Sequence, residues 1–249
     1  MPLPVFVISL AVALVAGCIK GMVGFAMPTV FMLALSSVLS PEIALAGLIL
    51  PTLATNGMQA FRQGIGAAVA SIKSFKTYLI YGGVALFVVA QTVRFITPSA
   101  LYLIIGIPVT ALVILQISGL RFHVTPQQRP MVERGVGVLA GGLGGISGIW
   151  GPPTVAFLTA LNTEKTEQMR VQGVIYGGGA FLLFVAHLFS GVLGAQTIVY
   201  SLSLIPPAVL GMWLGSKFQD SVDQETFRKI TLVVLLFAGL NLVRRGMLG

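Results

Sequence analysis

The stretches Ile43–Phe61, Leu101–Leu120, Gly135–Thr163 and Val171–Ser216 all lack Asp, Glu, Lys and Arg. About 20 apolar residues suffice to carry a helix across the hydrocarbon of a bilayer. The last two runs have room for more than one crossing, or for a crossing plus a hairpin. Leu, Val, Ile, Ala and Gly fill these stretches without alternating with polar residues, which favours helices over the strands of a barrel. The pattern predicts three long apolar segments in the first half, roughly 42–61, 75–93 and 99–119. It predicts three more in the second, roughly 168–189, 197–216 and 227–243. A glycine- and proline-rich stretch precedes each set.

Composition sharpens this picture. The 249 residues are 56% hydrophobic and only 9% charged, against about 25% charged residues in soluble domains. So few charges cannot cover a surface in water, and lipid is the solvent that suits the rest. The expected fold is an all-α polytopic membrane protein. The net charge of +8 would raise nucleic-acid binding in a soluble protein. Here the basic residues lie in short loops between spans, where they set orientation, and nucleic acid is set aside as a partner. A single cysteine, Cys18, excludes an intramolecular disulfide. Val15-Ala16-Gly17-Cys18 resembles a lipoprotein processing box, but no Lys or Arg precedes the apolar stretch as a signal peptide requires. The segment is expected to be retained.

The chain repeats itself weakly. Gly17, Gly21 and Gly24 are followed by Pro28-Thr29-Val30. Gly141, Gly145 and Gly148 are followed by Pro152 and by Pro153-Thr154-Val155, with one residue more between the last glycine and Pro-Thr-Val. The expected organisation is one membrane domain over 1–249, made of repeat one at 1–120, a polar linker at 121–134 and repeat two at 135–249. Each repeat carries one Gly/Pro-broken, re-entrant-type element plus three spanning helices. If each broken element returns to the side it entered, 11 Lys and Arg share one side and 3 lie opposite. Counting each element as one crossing gives 8 against 6. The stronger bias makes the first side, with the 62–76 and 121–134 loops, cytoplasmic, and makes the repeats inverted.

Glycines that end in proline interrupt a helix, and proline suits the first turn of a new one. New half-helices are therefore expected near Pro28 and Pro152–Pro153. Their first N–H groups lack intrahelical partners and sit at the positive end of the helix dipole, which makes them anion sites. In lipid such a break must face protein, water or substrate. Matching breaks in two halves point to a transport site. The competing reading is that the glycines only let helices pack closely.

Lys20 lies inside the first break, and no other charged residue precedes Glu42. An ionisable residue within a span is a functional candidate by default, although a lysine can also snorkel to the interface. Asn56, Gln59 and Arg62 follow at three-residue steps and share a helix face. They either tie helices together or line a path, with Arg62 also suited to anchoring at the interface. Arg170 and Gln172 open the corresponding helix of the second half. His187 lies deep in a span, where it relays protons or closes an interhelical hydrogen bond. Thr29, Ser147 and Thr154 can donate to an oxyanion or back to helix carbonyls. No metal-ligand cluster, phosphate loop or nucleophile-base-acid set is evident, so neither cofactor nor catalysis is expected.

Taken together, Gly17-x-x-Lys20-Gly21-x-x-Gly24-Phe25, Pro28, Leu50-Pro51-Thr52-x-x-Thr55-Asn56-x-x-Gln59-x-x-Arg62, and Gly145-Ile-Ser-Gly148-x-x-Gly151-Pro152-Pro153 followed by Arg170 resemble the TauE/SafE family of sulfite exporters over essentially the whole chain. Ala26 departs from the glycine or serine that many members carry there. The resemblance implies about eight helical segments and movement of sulfite, organosulfonates or related small anions. It places the chain in the bacterial inner membrane. The candidate substrate-binding residues are Lys20, Gly24, Phe25, Ala26, Met27, Pro28, Thr29, Asn56, Gln59, Gly148, Trp150, Gly151, Pro152, Pro153, Thr154 and Arg170. The expected partners are a small anion, the lipid bilayer and a second copy in a homodimer. The expected function is export of a small sulfur-containing anion. Proton-coupled import of another organic anion and a non-transporting membrane scaffold are the alternatives.

Overall fold

A computed structural model describes residues 2–119, 124–161, 163, 165–218 and 224–248, and among them there is no strand. The chain order is α1 (Leu3–Val23), α2 (Met27–Leu35), α3 (Pro41–Phe61), α4 (Ile65–Ser74), α5 (Lys76–Ala90), a 3-10 turn (Val93–Phe95), α6 (Pro98–Ile117), α7 (Arg129–Ser147), α8 (Gly151–Ala160), α9 (Lys165–Ser190), α10 (Ala195–Ser203), α11 (Ile205–Phe218) and α12 (Gln224–Leu248). Ser40 caps α3 and Thr97 caps α6 through their hydroxyls, and a proline follows each cap at the first helical position. That is the arrangement in which the missing proline N–H costs nothing.

By length and apolarity, four stretches among the described residues qualify as membrane spans: Leu3–Met22, Pro41–Phe61, Arg170–Ser190 and Ala195–Lys217. A fifth is formed if α4 and α5, bent by 81° at Phe75, are counted together. The expected segment at 75–93 is thus preceded by a separate ten-residue helix that runs across it. The expected segment at 197–216 is interrupted at Leu204, between α10 and α11. The polar stretch expected as a 121–134 linker is helical from Arg129, and its residues 121–123 lie outside the described residues, as does Glu164.

Helices meet where glycine removes the side chain. α1 packs along α11, and α5 along α7. A side chain at Gly17 or Gly21 would strike the α11 backbone at Ala208 or Met212, and one at Gly211 or Gly215 would strike α1 at Leu14 or Cys18. On the other pair, Gly141 abuts Gly82 and Gly145 abuts Leu86 in the same way. Small residues let backbones approach closely where lipid supplies no hydrophobic drive to association. Four of the six motif glycines, Gly17, Gly21, Gly141 and Gly145, therefore serve packing.

α3 packs against α9. Pro51 inside α3 has no N–H for the Gly47 carbonyl one turn earlier. Ser201 of α10 repairs the gap: its hydroxyl donates to the Gly47 oxygen at 3.1 Å and accepts from the Leu50 N–H at 3.1 Å. His187 of α9 is buried between Ser190 Oγ and the Gly145 carbonyl of α7, 2.9 Å from each. Of its two expected roles, this geometry is the interhelical hydrogen bond.

Candidate functional site

The remaining glycines of the motif make the turns. α1 ends at Gly24 with φ 79°, and α7 ends at Gly148 with φ 70°. In both, the cap N–H closes on the carbonyl four residues back, Lys20 and Gly144, at 2.7 Å. This left-handed cap suits glycine because it has no Cβ to clash. Ser147 adds to the second break by accepting from the Ile149 N–H at 3.2 Å. In the first break Ala26 also adopts a positive φ of 74°, alone among the described non-glycine residues. α2 then starts at Met27 with Pro28 in its first turn, and α8 starts at Gly151.

Both breaks line one small cavity. Phe25, Ala26, Pro28 and Thr29 come from the first and Trp150 and Gly151 from the second. Lys20, Asn56 and Tyr176 complete the wall. The starts of α2 and α8 thus converge on one point, where the helix dipoles and the N–H groups of Met27, Thr29 and Gly151 add positive potential, Pro28, Pro152 and Pro153 having no N–H to give. The enclosed space is about 10 Å³, enough for one water molecule and too little for a sulfur oxyanion.

Lys20 is a basic side chain in the cavity wall. It is 1% exposed, far from a snorkelling position. Its Nζ donates to Thr55 Oγ1 at 3.2 Å and to Asn56 Oδ1. Both acceptors are neutral, and among the described residues no carboxylate pairs with it. An ammonium has three donors, so one remains beyond these two partners. Removing such a charge from water costs several kcal/mol unless a partner compensates.

A polar frame holds this lysine. Asn56 Nδ2 donates to the Tyr176 carbonyl at 3.2 Å, which ties α3 to α9. Thr55 donates to the Pro51 carbonyl at 2.8 Å and lies 3.4 Å from Met27 Sδ. Gln59 Nε2 donates to the Gly24 carbonyl at 2.9 Å, steadying the end of α1. The other atom of that amide, Oε1, is buried without a partner. Tyr176 hydroxyl approaches the Gly151 carbonyl at 3.5 Å.

Thr154, Pro153, Gly148 and Arg170 lie apart from the cavity wall. Thr154 turns its hydroxyl to Tyr78 at 2.6 Å and to the Trp150 carbonyl at 2.7 Å. Pro153 is buried in the first turn of α8 and is not in the cavity wall, and Pro152 precedes it in that turn. Gly148 packs against Leu48, which stands 2.6 Å from where a Cβ would be. Arg170 reaches the buried Ser71 Oγ of α4 at 3.2 Å and Glu167 at 3.4 Å, and it is not in the cavity wall. Arg62 is exposed at the C-terminus of α3, and Gln172 is buried with its Oε1 unpartnered. Tyr176 is a wall residue without a local sequence signal, since a tyrosine in an apolar helix looks the same at any depth.

The family model described as Sulfite exporter TauE/SafE matches residues 9–242. No curated protein and no solved structure matches the chain.

Proposed function

This chain belongs to the sulfite exporter TauE/SafE family, and we propose that it moves a small sulfur-containing anion, such as sulfite or an organosulfonate, outward across the membrane. The family is one of membrane anion transporters, and the apolar helices agree with a multi-pass protein. The observation that carries the substrate site is the buried Lys20 amine with no carboxylate partner among the described residues, beside a cavity where two helix starts converge. An anion is the partner this arrangement lacks. Phe25, Trp150 and Tyr176 close the remaining wall, so the anion sheds water as it enters.

Two inverted repeats, α1–α6 and α7–α12, form the transport unit. The packing supports this, because the contacts between the sets, apart from α6 on α7, have a counterpart with the roles exchanged. α1 on α11 matches α7 on α5, α3 on α10 matches α9 on α4, and α2 on α12 matches α8 on α6. α3 on α9 and α6 on α12 map onto themselves. The cavity opens to one side or the other as one set rocks against its counterpart. The side rich in Lys and Arg, with residues 62–76, faces the cytoplasm. An inside-negative potential then drives a monovalent anion outward by about 2.3 kcal/mol per 100 mV, so export needs no coupled ion.

The test is thermal stabilisation of the purified protein by sulfite, thiosulfate, sulfate, sulfoacetate, taurine, acetate and phosphate. A ligand that binds only the folded state stabilises it by about 2.7 kcal/mol at 100 times its dissociation constant. A shift selective for one sulfur anion and absent in Lys20→Ala supports the reading. No shift with any anion in a folded protein overturns it.

A further inference from the structure

A second, larger cavity of about 570 Å³ lies between α3, α4, α5, α7 and α9. Of its wall residues only Trp150 also lines the anion cavity. Its size falls in the range of ligand sites. Glycines of four helices, among them Gly57, Gly82, Gly141 and Gly178, open the space, and aliphatic and aromatic side chains line the rest. Protein interiors are close-packed, and walls this poor in polar groups give water nothing to bond to. The occupant of such a space is apolar.

The mouth of the chamber shows where that occupant comes from. Phe61, Ile72 and Phe181 stand on the wall and are 62%, 46% and 57% exposed. An apolar mouth on membrane helices opens to hydrocarbon. α4 closes one end, turned 81° from α5, and exposes Ile65, Val69 and Ile72 at helical spacing along one face. A short helix across the spans with an apolar face belongs at the membrane interface. Cations gather at the same end. Arg62 and Lys73 directly follow the wall residues Phe61 and Ile72, and Lys76 opens α5. Arg170 bonds Ser71, and Arg129 donates to the Ser74 carbonyl at 3.1 Å. Arg129 and Arg170 each pair with one carboxylate, Glu133 and Glu167.

We propose that this chamber is a binding site for an anionic phospholipid of the bilayer, with one acyl chain between α5 and α9 and the phosphate at Arg62 and Lys73. Juxtamembrane basic residues attract anionic lipid by about 1 kcal/mol each, and the chamber adds a specific berth for the chain. The site is separate from the anion cavity, so its test does not depend on transport.

The test compares phosphatidylglycerol with phosphatidylcholine carrying the same chains. Each is added to the delipidated protein in detergent, and affinity is read by thermal shift and by lipid retained in native mass spectrometry. Phosphatidylglycerol is expected to bind the more tightly. Lys73→Ala is expected to weaken phosphatidylglycerol about fivefold and leave phosphatidylcholine unchanged. Gly57→Leu fills the chamber, since a Cβ at Gly57 meets nothing within 4 Å. It is expected to remain folded and lose retention of both lipids. Equal affinity for the two lipids, or unchanged retention in Gly57→Leu, overturns the proposal.

Discussion

Asn56 holds Lys20 and Tyr176 at once: its side-chain oxygen accepts from the ammonium, and its nitrogen donates to the Tyr176 carbonyl at 3.2 Å. One amide thereby fixes the buried lysine on α1 against the contact of α3 and α9. Asn56→Asp places a permanent carboxylate where the substrate anion is needed. The expected result is a folded protein whose affinity for its sulfur anion falls at least about tenfold, the equivalent of about 1.4 kcal/mol. Thermal shift titration checks this, and undiminished affinity would show that the ammonium does not meet the anion.

Lys20→Met separates a binding role from a structural one. Methionine keeps the length of the side chain and removes a buried charge, a change that is often neutral or stabilising when the site repacks. Two neutral acceptors, Thr55 and Asn56, lose a donor, at about 1–3 kcal/mol each at most. The variant is expected to fold and to lose anion flux in proteoliposomes. If it folds and transports like the parent, the lysine is only a packing group.

Export driven by potential alone has a thermodynamic signature. In proteoliposomes without a proton or sodium gradient, an inside-negative 100 mV is expected to support about a fiftyfold gradient of a monovalent anion toward the outside. Collapse of the potential should abolish it. Flux that survives that collapse and follows a pH gradient instead would replace uniport with proton coupling.

Ala26 is strained where glycine is not. At φ 74° its Cβ costs about 1–2 kcal/mol. Ala26→Gly is expected to raise stability by about 1 kcal/mol, less what the freer unfolded chain gives back, and Ala26→Val to lower it. Melting temperatures in one detergent decide this, and a destabilised Ala26→Gly would mean that the methyl group packs usefully against the cavity.

Gly141 and Gly142 are neighbours with opposite duties. A Cβ at Gly141 runs into the Gly82 backbone, whereas one at Gly142 meets nothing within 4 Å. Gly142→Ala is expected to stabilise α7 by about 0.5–1 kcal/mol through helix propensity. Gly141→Ala forces α5 and α7 apart and is expected to destabilise by 2 kcal/mol or more, roughly the size of an overpacking penalty. Thermal unfolding of the two variants side by side tests the assignment.

Much of this architecture is legible in the chain. Pro28 and Pro152–Pro153 mark where α2 and α8 begin, because proline favours a first turn and glycine a left-handed cap. Lys20, Asn56 and Gln59 each stand out as polar groups among apolar ones. Their joining does not, since the Lys20 and Asn56 partners lie on different helices and no local period links them. Arg170 looks like a member of the same set because its charge sits near a span, yet its distance from the cavity depends on where α4 packs. The 81° turn at Phe75 leaves no mark in hydropathy, as both of its arms are apolar. Glycine spacing is equally ambiguous: Gly21 packs a helix and Gly24 ends one, and only the three-dimensional neighbour tells them apart.

The shared wall at Trp150 has a practical side. The chain has two tryptophans. Trp213 is half exposed, with the Lys217 ammonium 3.6 Å above its ring, whereas the Trp150 ring rests against Gly144 and Gly179 between the two cavities. Trp213→Phe therefore leaves a single native fluorophore whose emission senses an anion on one side and a hydrocarbon chain on the other. Both occupancies become readable in one cuvette, without a label and without a transport assay.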